Sequence, residues 1–234
     1  MNVQNPQDKK PRLVYGRRKG KPLSVGRALV MDELYPKLAI PKEILRQDKT
    51  TTPKDIFGVE PKTFHFEIGF GGGEHLKWRM EQNPDDHFIG AEIFYNGVAS
   101  LLKSVNDIPH DNLRVWMDDA LIVLNSLPDA CIDYMYILNP DPWPKARHHH
   151  RRMVTKDNLD VFARVLKRGA TLLETTDVAT LSEWMVEHTD NHPAFEFTNR
   201  DDIYTPPEGW EPTRYENKGK VAGRRQSYLI FRRI

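Results

Sequence analysis

From residue 63 onward, runs typical of β-strands alternate with runs typical of α-helices. The strand-like runs are 63–70, 87–93, 113–118, 132–138 and 170–176. The helix-like runs are 74–82, 95–106, 120–127, 155–167 and 178–189. Because strands and helices follow one another in turn, the pattern predicts an α/β domain built on a mostly parallel sheet with helices on both faces.

The end of the chain departs from this alternation. The runs 195–199 and 227–233 predict two further strands, which are joined by the long polar stretch 201–226. A connection of that length is uncommon in a compact domain unless it has a function. We therefore predict that 201–226 is a functional, substrate-binding loop.

The first sixty residues do not share the alternating pattern. Residues 1–22 are polar and basic, and they predict a flexible arm without a core of its own. Residues 23–62 hold scattered apolar positions and four prolines, which predict an N-terminal extension with short elements only. The predicted domain itself spans 63–234.

Charge is distributed unevenly along the chain. The formal net charge is only +1, yet residues 1–50 hold 12 Lys and Arg against 5 Asp and Glu, and residues 214–234 hold 7 against 1. The intervening 51–213 hold 15 against 27. Basic ends on an acidic body are typical of arms that meet a polyanion such as a nucleic acid. Solubilising tails are the alternative interpretation.

Composition limits the class of protein. Hydrophobic residues make up 39% and charged residues 29% of the chain, as in soluble globular proteins. No apolar run is long enough for a membrane span, and the polar N-terminus does not resemble a secretory signal. Cys131 is the single cysteine, so no intrachain disulfide can form. We expect a cytoplasmic protein with no membrane contact.

The first predicted strand ends in Glu67 and a cluster of glycines. Gly69, Gly71 and Gly73 follow it at a spacing that differs from the Gly-x-Gly-x-x-Gly of dinucleotide folds. Glycine permits the dihedral angles of a tight turn and leaves no Cβ between the backbone and a ligand. Since no Lys-Ser/Thr pair follows, a triphosphate-binding loop is excluded. A cofactor-binding turn and a plain turn are the two interpretations.

Acidic residues stand at the ends of five predicted strands. They are Glu67, Glu92, Asp119, Asp141, and the pair Glu174 and Asp177. One acid at a strand end is commonly a helix cap, but five at the edge where such sheets bind ligands predict a site. Glu92 suits the two hydroxyls of a ribose, and Asp119 suits an exocyclic amine such as that of adenine. Because Glu67 would repel a pyrophosphate, a cationic nucleoside cofactor, S-adenosylmethionine, fits best.

The segment after the fourth strand is rigid. In Asn139-Pro140-Asp141-Pro142-Trp143, each proline fixes its own φ and restricts the residue before it. Trp143 offers a plane on which a base can stack. Four basic residues follow and predict phosphate binding: Lys145, Arg147, Arg151 and Arg152. Three histidines lie between them, but adjacent side chains rarely converge on one ion, so we expect no metal site.

Together these motifs resemble those of the bacterial tRNA (guanine-N7-)-methyltransferases. The resemblance rests on Glu67 with the glycine turn, Glu92, Asp118-Asp119-Ala120, Pro140-Asp141-Pro142-Trp143, Lys145, Arg147-His148, Arg151-Arg152, Thr176-Asp177 and Thr213-Arg214-Tyr215-Glu216. The segment from Pro140 to Arg152 is highly specific, whereas the glycine turn is shared with many methyltransferases. The match covers the chain from about residue 60 to its C-terminus.

The resemblance implies a Rossmann-like class I methyltransferase with a seven-stranded sheet. Its cofactor would be S-adenosylmethionine and its substrate the guanine of the tRNA variable loop, methylated at N7. By resemblance, Glu67, Glu92, Asp119 and Asp141 line the cofactor side. Lys145, Asp177 and the segment Thr213 to Glu216 meet the RNA. Bacterial relatives resemble single-subunit enzymes, so we expect a monomer, with a homodimer left open.

Two positions depart from the family pattern. Asn139 stands where a phenylalanine commonly precedes Pro-Asp-Pro-Trp, which changes the polarity near the target base. His150 stands where a lysine often precedes the Arg-Arg pair, which removes a permanent charge and would make RNA binding sensitive to pH.

The chemistry needs few catalytic groups. Guanine N7 carries a lone pair and no proton, so it can attack a sulfonium methyl without a general base, and alignment alone supplies about 7–11 kcal/mol. A fixed carboxylate near the base favours the positive charge that develops there, which points to Asp141 first and Asp177 second. The alternatives are a methyltransferase acting on another RNA site or on a small molecule, a non-catalytic RNA-binding protein and, more distantly, a dehydrogenase.

Overall fold

A computed structural model describes residues 15–46 and 48–234. Seven strands form one sheet in the order β3-β2-β1-β4-β5-β7-β6. The strands are β1 (Phe64–Ile68), β2 (His87–Ala91), β3 (Leu113–Trp116), β4 (Ile132–Leu138), β5 (Leu166–Thr176), β6 (Phe195–Phe197) and β7 (Ser227–Arg233). β1 to β5 are parallel, and β7 runs antiparallel to both β5 and β6. The predicted α/β sheet is confirmed.

Helices cover both faces of this sheet. They are α1 (Val25–Glu33), α2 (Tyr35–Leu38), α3 (Pro53–Phe57), α4 (Glu74–Gln82), α5 (Tyr95–Val105), α6 (Ala120–Ser126), α7 (Lys156–Val165), α8 (Ala179–Asp190) and α9 (Arg214–Val221). Short 3-10 helices span Lys42–Ile44 and Ala146–Arg151. Consecutive residues of a strand point to opposite faces, and Phe88 and Ile89 of β2 are buried in two different hydrophobic clusters. Each face therefore has its own apolar layer.

The predicted N-terminal extension packs against the domain. Helix α1 lies along α5, and Val30 and Met31 of α1 are buried in the same cluster as Leu101 and Leu102 of α5. Further along, the Ile40 N–H donates to the Val115 carbonyl at 3.1 Å. Because β3 is the edge strand, this contact covers part of an otherwise exposed row of backbone groups.

Two elements differ from the sequence-based expectation. Strand β5 begins at Leu166 rather than at 170, because a bulge lies within it: Ile132 pairs with Leu166 but Tyr134 pairs with Thr171. Gly169 takes a φ of +84° in that bulge. The predicted loop 201–226 contains helix α9, which begins where the Thr213 hydroxyl accepts a hydrogen bond from the Glu216 N–H.

The strand order reverses between β1 and β4. From β1 the chain builds outward through β2 and β3, and it then returns to the other side of β1 as β4 and β5. In open parallel sheets the crevice at such a reversal, outside the carboxyl ends of the strands, is where ligands bind. Within the described ranges, no helix has the length and apolarity to cross a bilayer.

Candidate functional site

A cavity of about 670 Å³ lies at the reversal, beyond the carboxyl ends of the strands. Six of its lining residues are acidic: Glu74, Glu67, Glu92, Asp118, Asp119 and Asp141. Glu74 begins α4, and the other five lie at the carboxyl ends of β1, β2, β3 and β4, so four of the five predicted strand ends contribute to one site. The acids of the fifth strand lie elsewhere. Glu174 is fully buried within β5, and Asp177 lines a separate cavity.

The glycine turn forms one wall of the cavity. Gly69, Gly71 and Gly73 have φ values of +72°, +57° and +81°, a region that side-chain-bearing residues rarely adopt. The turn is held from two sides. The Gly71 N–H donates to Glu92 Oε2 at 2.8 Å, and a Cβ on Gly97 would come within 2.2 Å of the Gly71 carbonyl oxygen. Gly97 is not part of the motifs found in the sequence, but its lack of a side chain lets α5 approach the turn.

Glu92 is fixed by two backbone donors. Its Oε1 accepts from the Phe94 N–H and its Oε2 from the Gly71 N–H, both at 2.8 Å. The side chain is buried, and this burial raises the pKa of its carboxyl, to which the nearby Asp141 adds. The hydrogen bonds from Phe94 and Gly71 act in the opposite direction on that pKa. The carboxylate is thus set in place before any ligand arrives.

A buried histidine orients the carboxylate at the end of β1. His75 Nδ1 lies 2.7 Å from Glu67 Oε2, and both residues are only 2% exposed. The ring of His75 packs against those of Tyr136 and Trp210, 4.8 and 5.1 Å away between centroids. The sequence motifs above do not include His75. Its position in the first turn of the helix after the glycines is the one sequence feature that places it near the cavity.

Asp119 lines the cavity and also caps a helix. Its Oδ1 accepts from the Leu121 N–H at 3.0 Å at the start of α6, and its carbonyl accepts from the indole N–H of Trp116. The helix-capping interpretation of strand-end acids therefore applies to this residue. Its position is consequently fixed by the main chain of α6.

The rigid segment after β4 forms the opposite wall. Asn139 and Trp143 both have left-handed φ values, +47° and +42°. The Pro142 carbonyl accepts from Arg152 Nε at 2.9 Å. This fold of the segment leaves Asp141 exposed at the cavity, between its two prolines.

The basic residues after Trp143 do not form a single surface. Lys145 and Arg147 are exposed. The Arg151 guanidinium lies between the rings of Tyr15 and Trp143, 4.4 and 5.0 Å from their centroids. Arg152 differs from the predicted phosphate contact: it is 4% exposed and lies over the ring of Trp184, a residue far along the chain whose contact the sequence could not show.

The three adjacent histidines face different rings. His148 packs on Trp143, His149 on Trp184 and His150 on Tyr15. Across the described residues, no group of three His, Cys, Asp or Glu side chains is arranged to hold a metal ion.

Part of the predicted flexible arm lies at the cavity. The Arg18 carbonyl accepts from the Tyr95 N–H at 2.9 Å, and the Gly20 N–H donates to Asn96 Oδ1 at 2.7 Å. Tyr15, Gly16 and Arg17 line the cavity. Residues 15–22 are therefore held against the domain, contrary to the expectation of a free arm, while residues 1–14 lie outside the described part of the chain.

The predicted substrate residues near the C-terminus separate into two groups. Arg214 and Tyr215 are exposed and line the main cavity. Thr213, the cap of α9, is buried but also lines this cavity, whereas Glu216 is 1% exposed. Glu216 accepts from the Trp210 indole N–H and the Tyr228 hydroxyl, so it ties α9 to β7 rather than facing a ligand.

Asp177 lies beside α9, at a second cavity of about 800 Å³. Its Oδ2 accepts from Arg224 Nε at 2.8 Å. A Cβ on Gly219 would come within 2.3 Å of the same oxygen, so only glycine lets the helix pass this close. The Arg224–Asp177 contact and the close approach of Gly219 to Asp177 therefore connect the predicted loop 201–226 to the end of β5.

Comparisons with known proteins bear on this arrangement. The model of a family described as "Putative methyltransferase" matches residues 61–229. The chain is 41% identical over 221 residues to the tRNA (guanine-N(7)-)-methyltransferase of Rhodospirillum rubrum, with 94% of this chain and 87% of the relative covered. It is 43% identical over 230 residues to the protein of the same name from Novosphingobium aromaticivorans, with 94% of each chain covered.

Solved structures share the fold at much lower identity. An antibiotic-related methyltransferase matches with a TM-score of 0.52 at 14% identity, covering 83% of this chain and 100% of that one. The 16S rRNA methyltransferase KamB matches with a TM-score of 0.53 at 16% identity, covering 74% and 87%. At these identities the likeness concerns the fold alone, and it agrees with the Rossmann-like methyltransferase sheet.

Proposed function

Because the chain belongs to the family of tRNA (guanine-N(7)-)-methyltransferases, we propose that it transfers a methyl group from S-adenosylmethionine to N7 of a guanine in tRNA, forming N7-methylguanosine. The target guanine is that of the variable loop, and the enzyme acts in the cytoplasm, where tRNA is found. The observation that supports this most is one cavity in which a glycine turn meets carboxylates from four strand ends.

The cavity suits a cationic nucleoside. A Cβ on Gly69 would meet no atom within 4 Å, so the turn leaves open space beside the backbone. In our proposal Glu92 accepts from the ribose hydroxyls, Asp119 lies at the adenine end, and Glu67 faces the amino group of the methionine part. S-adenosylmethionine supplies a methyl group activated by a positively charged sulfur.

Asp141 is the proposed catalytic residue. Its carboxylate lies at the cavity on a segment whose conformation two prolines restrict. When N7 takes the methyl group, positive charge moves onto the guanine ring, and a fixed carboxylate beside the ring favours that state. The carboxylate can also accept from guanine N1–H and N2–H, which holds the ring in line for attack. No proton has to be removed for the methyl to transfer.

The exposure of the predicted substrate residues indicates which of them contact the RNA. Arg214 is exposed at the cavity, and Lys145 and Arg147 are exposed on the segment that follows Trp143; in our proposal these three meet phosphates, and Tyr215 offers a ring for stacking. The buried Arg152 and Glu216 hold their segments in place and make no RNA contact in our proposal, whereas Thr213 lines the cavity. Asp177 meets the RNA from the second cavity.

The test is methylation of unmodified tRNA with a radiolabelled donor, followed by nucleoside analysis and by cleavage at N7-methylguanosine. Substituting Asp141→Ala should lower the turnover number by about 100-fold, as loss of one charge-stabilising group typically does, while the cofactor dissociation constant changes much less. Asp85→Ala, an exposed acid before β2, is the matched control and should keep full activity.

Three results would contradict this proposal. An active Asp141→Ala enzyme removes that residue from catalysis. Label in another nucleoside indicates a methyltransferase with a different RNA site. A protein that binds tRNA but no cofactor is an RNA-binding protein that kept the fold.

A further inference from the structure

Asn139 occupies an unusual place at the edge of the cavity. It is the residue between β4 and the Pro-Asp-Pro-Trp segment, it lines the cavity beside Asp141, and it has a left-handed φ of +47°. Its own N–H donates to the Thr175 carbonyl at 2.9 Å. Asparagine and aspartate tolerate this backbone region better than other side chains, so Asn139 can hold it with little strain.

The amide of Asn139 is held by a buried glutamine. Gln226, which precedes β7 and is 5% exposed, donates from Nε2 to Asn139 Oδ1 at 2.9 Å. Since that oxygen points toward Gln226, the amide nitrogen of Asn139 points away from Gln226, and it makes no hydrogen bond to any described residue. Among the described residues, Gln226 Oε1 and Thr175 Oγ1 are buried without a hydrogen-bond partner.

The orientation of the Asn139 amide determines which base it can recognise. A free asparagine side chain recognises adenine, because it donates to one atom of the base edge and accepts from the amine beside it. With Oδ1 turned toward Gln226, the group that Asn139 presents on its other side is the Nδ2 donor. Guanine carries an acceptor, O6, next to N7, where adenine carries a donor amine. An asparagine that turns its donor toward the base therefore suits guanine and opposes adenine.

We propose that Asn139 is a specificity-determining residue that donates from Nδ2 to O6 of the target base, and that Gln226 is the positioning residue that fixes this orientation. The inference rests on the proposed function, since it takes guanine N7 as the methyl acceptor. A base with an amine at this position meets two facing donors and is rejected, which adds selection to the alignment that Asp141 provides.

The experiment compares two tRNA substrates that differ only in the target base. The target position carries either guanine or 2,6-diaminopurine, which keeps N7 and the 2-amine but replaces O6 with an amine and has no proton on N1. Single-turnover methylation rates give the guanine-to-diaminopurine ratio for each enzyme. The ratio is then compared between variants, so the different reactivities of the two bases cancel.

Substitutions of Asn139 that keep its backbone conformation should change this ratio. Asn139→Gly, which tolerates the positive φ, removes the donor and should lower the ratio by about tenfold, the value of one hydrogen bond. Asn139→Asp can still accept from Gln226 Nε2, but it presents an acceptor to the base. It should therefore lower the ratio further by favouring diaminopurine.

Gln226 gives an independent test. A glutamate at this position can only accept, so Gln226→Glu should turn the Asn139 amide around and present Oδ1 to the base. The expected result is the same loss of guanine preference with an unchanged cofactor dissociation constant. A purely structural role would instead slow both substrates equally and leave the ratio unchanged.

The outcomes separate the two proposals. A wild-type protein that does not methylate unmodified tRNA contradicts the proposed function. If the wild type methylates guanine normally and the ratio is equal in the wild type, Asn139→Gly, Asn139→Asp and Gln226→Glu, the inference about Asn139 is wrong and the proposed function stands.

Discussion

The contact between His75 and Glu67 determines how one acid is presented to the cavity. Both side chains are buried, and Glu67 has its Oε2 within hydrogen-bond distance of His75 Nδ1. A buried carboxylate that loses its partner bears the full cost of desolvation, about 1–3 kcal/mol or more for a charged group. The orientation of Glu67 therefore depends on His75, which also lines the cavity.

We expect His75→Phe to weaken cofactor binding by about tenfold, which corresponds to about 1.4 kcal/mol. Phenylalanine keeps a ring against Tyr136 and Trp210 but cannot donate to Glu67. Titration calorimetry with S-adenosylmethionine measures the effect. His65→Phe is the matched control, because His65 is equally buried and bonds to Tyr136 and Asp86 away from the cavity. A folded His75→Phe protein with unchanged affinity would contradict this role.

At the residue scale, the sequence predicts which residues reach the cavity edge but not how each is used. Strand periodicity places Glu92 and Asp141 correctly, because an acid that follows a buried strand must lie at its carboxyl end. Whether a charged residue there faces solvent depends on distant partners. Trp184 buries Arg152, and Trp210 with Tyr228 engages Glu216. No local pattern shows those contacts.

At the element scale, the strands and helices of the domain follow from the sequence to within a few residues. The bulge in β5 and helix α9 do not. The bulge depends on how β5 pairs with β4, and α9 is a short polar helix whose packing on Asp177 requires Gly219. Local propensity is weak for such segments because tertiary contacts decide their conformation.

The contact between β5 and α8 contains a buried acid that the proposed reaction does not use. Glu174 is fully buried, and the Thr189 hydroxyl donates to its Oε1 at 3.1 Å. Burial raises the pKa of Glu174 from its ordinary 4.5 to about 8. Between these values the folded protein holds a proton that the unfolded chain has lost, so the free energy of unfolding decreases as the pH rises.

Glu174→Gln should remove this pH dependence. The wild type is expected to lose stability between about pH 5 and pH 8, by up to about 1.4 kcal/mol per pH unit, while glutamine has no proton to lose. The variant should therefore match the wild type near pH 5 and exceed it at pH 8. Urea unfolding at several pH values measures this, with Glu183→Gln, exposed on α8, as the control. Parallel curves for wild type and Glu174→Gln would show that the carboxyl stays ionised.

At the scale of the whole molecule, the two basic ends of the chain are not equivalent. Arg17 lies at the cavity and Arg18 at its mouth, beside Asp118. The C-terminal basic residues lie in different places. Arg214 lines the cavity. Arg232 of β7 lies opposite Thr171 of β5, toward the edge of the sheet away from the cavity, and it pairs with Glu196. Sequence alone gives the charge asymmetry, but only the fold shows which charges share a surface with the site.

This distribution predicts the salt dependence of tRNA binding. Deleting residues 1–22 removes seven basic residues and one acidic residue, and it should weaken binding. Each phosphate contact that is lost should lower the slope of log affinity against log salt concentration by about 0.7–0.9. Filter binding across a salt series measures that slope, and cofactor affinity measured in parallel shows any separate effect of losing Tyr15 from the cavity.

Arg232→Ala, whose partner is Glu196, should leave the slope unchanged. If deletion of residues 1–22 also leaves it unchanged, the basic N-terminus only aids solubility, and the phosphate contacts belong to Lys145, Arg147 and Arg214.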